Sequence, residues 1–101
     1  MTNPTAQEVY DFIMNHINST GISYNRWYVG IATSPRTRLF TDHNVSEQND
    51  KWVYKDAGTD TVARQVEEYI INTHKTQGDT GGGDKSTTFV YAYVITNTTR
   101  E

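Results

Sequence analysis

Cysteine is absent from this 101-residue chain, which excludes a disulfide framework and any thiolate metal site. Proline occurs only twice, and no apolar run approaches the ~20 residues that a membrane span needs. The opening stretch MTNPTAQEVYDFIM has neither a basic start nor an apolar core, so it does not read as a secretion signal. Together these absences lead to the expectation of a cytoplasmic protein without membrane contact. The sequons at Asn18, Asn44 and Asn97 are read as chance occurrences. Basic residues are also few: nine Lys and Arg against twelve Asp and Glu, a net charge of −3 and a pI near 5.5. A protein that lives on duplex DNA carries a basic face, because phosphate neutralisation supplies most of its affinity. Any nucleic-acid contact here must therefore be local, metal-assisted or directed at a small nucleotide.

Apolar side chains make up 35 % of the chain and the mean hydropathy is −0.73. Seven Tyr, three Phe and two Trp compensate, since each aromatic buries a large area. A chain of this length is expected to form one domain, residues 1–101, around one core. Thr5 to Asn18 reads as a helix, with Thr5 and Glu8 spaced as a capping box and Val9, Phe12, Ile13 and Ile17 at helical spacing. Trp27, Val29, Ile31 and Thr33 alternate with Tyr28, Gly30 and Ala32, the mark of a strand with two distinct faces. Ser34-Pro35 then opens a helix expected to run to about His43. KWVYKDA from Lys51 reads as a second strand, and Asp60 to His74 as a helix whose inner face is Val62, Val66, Tyr69, Ile70 and Thr73. QGDTGGGDKS reads as a flexible loop, and TTFVYAYVIT is the strongest strand signal in the chain. No internal repeat is present. The expected fold is α+β, a small three-stranded, mainly antiparallel sheet flanked by three helices.

Tyr28, Arg36, Arg38 and His43 fall together in WYVGIATSPRTRLFTDH. A phenol, a guanidinium and an imidazole at one strand-helix junction suit a phosphodiester. Arg neutralises charge developing on phosphate oxygens, and Tyr or His can activate a nucleophile. The plainer alternative is a core aromatic beside a close-packed Gly30. Glu67 sits at the margin of the apolar face of the long helix with Ala63, Ile70 and His74, where a carboxylate can hold a single hard cation. Glu68 points more toward water. Successive backbone N–H groups in GDTGGGD, at Gly82 and Gly83, can form an anion nest, although the spacing is not that of a Walker A motif and a mobile connector is the alternative. His16 and His74 have no metal-ligating partner at sensible spacing.

YVGIATSPRTRLFTDH and KWVYKDAGTDTVARQVEEYII, in this order, resemble the GIY-YIG nuclease superfamily over residues 27–74. Tyr28-Val29-Gly30 matches the second half of the signature. Arg38 matches the helix Arg, and Glu67, before Tyr69-Ile70-Ile71, matches the metal-binding Glu. The Gly-Ile-Tyr strand expected about ten residues upstream has no room, since only GISYNR precedes Trp27. The orphan strand Phe89 to Ile95 is inferred to fill that place by circular permutation, with Tyr91 or Tyr93 supplying the missing Tyr. The family's late Asn has no clear counterpart, and His43 comes one residue later than the family pattern.

The resemblance implies a phosphodiesterase or nuclease dependent on one Mg²⁺ or Mn²⁺ ion. Tyr28, Arg38, His43 and Tyr91 would be catalytic, Gly30, Arg36, Gly82, Gly83 and Tyr93 would bind substrate, and Glu67 would hold the metal. The substrate would be nucleic acid or a small nucleotide. Two further readings stay open: the same fold binding a nucleotide or a protein partner without turnover, and a purely structural interaction module.

Overall fold

The computed structural model describes residues 3–80 and 83–101. Helix α1 (Ala6–Thr20) starts with the expected capping box: Thr5 Oγ1 accepts from the Glu8 N–H at 3.1 Å and Glu8 Oε1 accepts from the Thr5 N–H at 3.0 Å. It ends at Gly21, whose φ of 70° is the left-handed cap that glycine adopts without strain. Helix α2 (Asp60–His74) is capped by Thr59. Strands β1 (Trp27–Ala32), β2 (Trp52–Asp56), β3 (Gln77–Gly78) and β4 (Phe89–Val94) form one sheet in the order β2-β4-β1-β3. None of the helices described is long and apolar enough to cross a membrane.

The fold is therefore α+β, as expected, but the sheet has four strands and is mixed. β4 lies in its centre, antiparallel to β1 on one side and β2 on the other, with Tyr91 opposite both Gly30 and Tyr54. The fourth strand is the start of the segment read as a loop. Gln77-Gly78 pairs parallel with Tyr28-Val29. Gly78 permits this close approach, since a Cβ there would stand 2.6 Å from the Val29 carbonyl oxygen and 2.5 Å from Ile71 Cδ1.

Strand alternation divides the chain into two apolar layers. Trp27, Val29, Val53, Val90 and Ala92 pack against Val9, Ile13 and Ile17 of α1 and Val66 and Ile70 of α2. On the opposite face Tyr91, Tyr93 and Ala32 pack with Leu39 and Val45. Both long helices are rotated slightly from the expected phase. Phe12 is 48 % exposed, with the Lys55 ammonium over its ring. Tyr69 is 56 % exposed, and the buried stripe of α2 is Ala63, Val66, Glu67 and Ile70. The small Ala63 brings the helix close to the sheet and carries Glu67 inward.

The helix after Pro35 also departs from expectation. It begins with an α-turn, the Arg38 N–H donating to the Ser34 carbonyl at 3.1 Å, and then widens into a π-helix over Thr37–Asp42. The His43 N–H reaches the Arg38 carbonyl, five residues back, at 2.8 Å. In a regular α-helix, at 3.6 residues a turn, residues five apart point roughly 140° apart. The widened turn returns them to one side, and both line the same cleft.

A chain ending after Ser86 lacks β4 and leaves β1 and β2 with no partner between them. Such a chain is expected to lose its cooperative thermal transition in circular dichroism. A sharp transition in the truncated chain would contradict the central place of β4.

Candidate functional site

A cleft of about 710 Å³ lies over β1, reached both by Tyr91 of the sheet and by Glu67 of α2. Tyr28, Gly30 and Tyr91 form its floor, the π-helix supplies Arg38 on one bank, and Glu67 and Gly83 stand on the other. His43 lies at one end, beside Arg100 and Glu101.

Gly30 allows the floor to exist. Tyr91 lies across β1 at this point, and a Cβ on Gly30 would stand 2.5 Å from the Tyr91 hydroxyl oxygen. From there the Tyr91 hydroxyl meets His43 Nε2 at 2.7 Å. The other ring nitrogen, Nδ1, lies 2.6 Å from the Arg100 carbonyl oxygen. A carbonyl only accepts, so Nδ1 carries a proton, and in the Nδ1–H tautomer Nε2 accepts from the Tyr91 O–H. Behind this pair the Tyr93 oxygen lies 3.0 Å from Nδ1 and its O–H donates to Glu101 Oε2 at 3.2 Å. The Arg100 N–H donates to the His43 carbonyl at 2.7 Å, and Asn44 Nδ2 donates to the Thr98 carbonyl at 2.9 Å. The last residues of the sequence thus hold the imidazole from both its main chain and its ring.

The phenols keep their protons at neutral pH. Burial pushes Tyr28 above its ordinary value, and the Asp79 carboxylate adds to this while Arg38 opposes it. Burial likewise pushes Tyr91 far up, with Arg38 working in the opposite direction. Deprotonating Tyr91 therefore needs an acceptor, and His43 Nε2 is in hydrogen-bond contact with it. The Arg38 guanidinium is half-exposed and reaches Asp42 Oδ2 at 3.4 Å, one helical turn away.

Glu67 is only 1 % exposed, and its Oε1 has no hydrogen-bond partner among the described residues. Burial, reinforced by Glu68 and Asp79, pushes its carboxyl up to about 7. A carboxylate at a cleft wall is a ligand type for a cation that retains most of its own waters. Oε1 is closed to solvent, however, so such an ion reaches it only when the side chain turns toward the cleft. Among the described residues no group of three or more His, Cys, Asp or Glu is placed to hold a metal.

Seven of the residues singled out from sequence meet here: Tyr28, Gly30, Arg38, His43, Glu67, Gly83 and Tyr91. Arg36 does not. It pairs with Glu47 and lies over the Phe40 ring at 5.0 Å. Tyr93 is buried behind His43 and does not line the cleft. Gly82 lies outside the described residues. Asp84 serves its own turn, accepting from the Ser86 N–H at 2.8 Å. The sequence reading missed Asp79, Arg100 and Glu101, which also line the cleft. Asp79 follows the Gln-Gly pair that forms β3, a pairing that carries no sequence pattern, so nothing in the sequence singles it out. Arg100 is recruited through its main chain, which leaves no mark in a sequence.

Since Glu67 is raised from 4.5 to about 7 in the folded state, the folded chain holds a proton that the unfolded chain releases between those values. The associated stabilisation is full below the unfolded value and is lost as pH rises through about 7. Glu67→Gln is therefore expected to exceed the parent in stability by on the order of 3 kcal/mol at about pH 8, and by less than about 1 kcal/mol at about pH 5. Urea unfolding at the two pH values reads this difference, and an equal effect at both would contradict a buried, proton-holding Glu67.

Comparison of the chain with protein-family models, with curated proteins and with solved structures finds no match.

Proposed function

We propose that the cleft is a phosphodiester-hydrolysing site of the GIY-YIG kind, assembled on a circularly permuted version of that fold. One observation carries the reading: Tyr28, Arg38, His43, Glu67 and Tyr91, drawn from four separate segments, line a single cleft. Two details support it further. β4 pairs beside β1, where the resemblance lacked a strand, with Tyr91 opposite Gly30. The π-turn absorbs the one extra residue between Arg38 and His43.

In this reading a phosphodiester lies with one non-bridging oxygen against Arg38, whose charge offsets that developing on phosphorus. His43 Nε2 takes the Tyr91 proton along the existing 2.7 Å contact. The Tyr91 oxygen then accepts a proton from the attacking water as the water oxygen bonds to phosphorus and the bond to the leaving oxygen breaks. The leaving oxygen takes a proton from solvent, and the proton held on His43 is released to solvent in turn. The Tyr28 hydroxyl lines the same floor and orients the water. Glu67, once ionised, would hold one Mg²⁺ or Mn²⁺ ion, which when bound supplies positive charge to the phosphate and leaving oxygens. Ionisation of Glu67 is needed for this, so metal binding strengthens as pH rises through about 7.

Binding without turnover is the second reading. The enclosure of Glu67 favours it, because below about pH 7 the carboxyl is protonated and offers a cation little.

Two substitutions separate these readings. Arg38→Ala is expected to abolish binding and cleavage of a dinucleotide monophosphate while changing stability by less than about 1 kcal/mol, as befits a half-exposed side chain. A large fall in melting temperature with ligand binding intact would make Arg38 a structural residue. Glu67→Gln is expected to abolish Mn²⁺-dependent cleavage and leave dinucleotide binding largely unchanged. Tight binding without turnover, indifferent to chelator and to this substitution, would decide for the binding domain.

A further inference from the structure

Charge at the cleft narrows the substrate class, given the phosphodiester reading above. Of the nine Lys and Arg in the chain, only Arg38 and Arg100 line the cleft, against four carboxylates: Asp42, Glu67, Asp79 and Glu101. Two further cations stand near the cleft without lining it: Arg26, in an adjoining hollow that shares Tyr28 and Glu101 with the cleft, and Lys85, exposed on the segment between Gly83 and Thr87. Arg36 is paired with Glu47 and Arg64 with Asp60. Lys55 lies over Phe12 on the helix-covered side. Asp79 and Glu101 are exposed, and both lie at the cleft rim.

A polynucleotide brings many charges at close spacing, about one per 1.7 Å of duplex axis. With one phosphate at Arg38, its neighbours on the strand would pass the rim within a Debye length, roughly 8 Å at physiological salt, of Asp79 and Glu101. These contacts would be repulsive, and the isolated Arg26 and Lys85 offset them only in part, since the cleft itself carries four carboxylates against two arginines. A ligand with a single phosphodiester meets Arg38 and carries nothing to the rim. The cleft volume of about 710 Å³ also lies within the usual range of small-molecule sites, about 300–1,000 Å³.

We infer that the site takes a phosphodiester of nucleotide or dinucleotide size, carrying one phosphate, and discriminates against single- and double-stranded polynucleotides through its acidic rim. The carboxylates that do this, Asp79 and Glu101, are specificity-determining rather than catalytic.

The test is calorimetric binding of three probes to the whole chain with Mn²⁺ present: dithymidine monophosphate, an oligothymidylate of about ten nucleotides, and a duplex of the same length. The dinucleotide should bind at least about threefold more tightly than the oligonucleotide or the duplex, and log K should fall with log salt with a slope no steeper than about −1. In the double variant Asp79→Lys, Glu101→Lys, the oligonucleotide should gain about tenfold or more over the dinucleotide, since each neutralised phosphate adds roughly that much at low salt. Affinity that climbs steadily with length in the parent protein, with a slope of several units, would overturn the inference and leave the phosphodiester reading standing. Absence of binding for all three probes would overturn both. The parent measurements decide the matter even if the double variant fails to fold.

Discussion

The ring of Tyr91 lies across Gly30, occupying the space that any other residue at that position would fill with a Cβ. This single crossing fixes much of what surrounds it. It sets the register of β4 against β1, and it aims the Tyr91 hydroxyl at His43. It also leaves the sheet open above the strand, so that the cleft has a floor rather than a second packed layer. A side chain at position 30 would force the ring to move, and overpacking of this kind costs about 1–3 kcal/mol in a well-packed core.

His43 is the second fixed point, and it is held by elements distant in sequence. The π-turn brings it to the side of Arg38, Tyr91 occupies Nε2, and the Arg100 main chain fixes both the ring and the backbone. Glu67 approaches from the opposite bank on α2, where burial keeps its carboxyl protonated to about pH 7. Packing and chemistry conflict at this one residue: an oxygen left without a partner is unfavourable for folding and useful for a cation.

Much of this was legible in the sequence because it rests on periodicity. Capping residues marked the start of α1, and alternation marked β1 and β4, which pair as neighbours in the sheet. The helix phases were less legible. Tyr69 and Phe12 are apolar at the right spacing yet face outward, since hydropathy alone ranks a large aromatic above the small Ala63 that lets α2 approach the sheet. Glu67 was readable as a marginal carboxylate but not as a fully buried one. β3 was not legible, because a two-residue parallel pairing carries no pattern. The docking of residues 96–101 was not legible either, since its contacts to His43 and Asn44 are made by backbone groups. The π-helical turn before His43 was not legible, since the Ser-Pro start of the helix gave no sign that it would widen.

The central claim is that one cleft, bounded by Arg38 and Glu67, receives a phosphodiester and a divalent ion together. The most direct measurement is a crystal structure of the protein at about pH 8 with Mn²⁺ and a phosphorothioate dinucleotide, collected at the manganese edge; this pH lies above the value near which Glu67 ionises. The account predicts one anomalous peak against the Glu67 carboxylate, with the thiophosphate in contact with Arg38 and the Tyr91 hydroxyl. Manganese and nucleotide at separate places, or a nucleotide that leaves Arg38 and Tyr91 untouched, would contradict it.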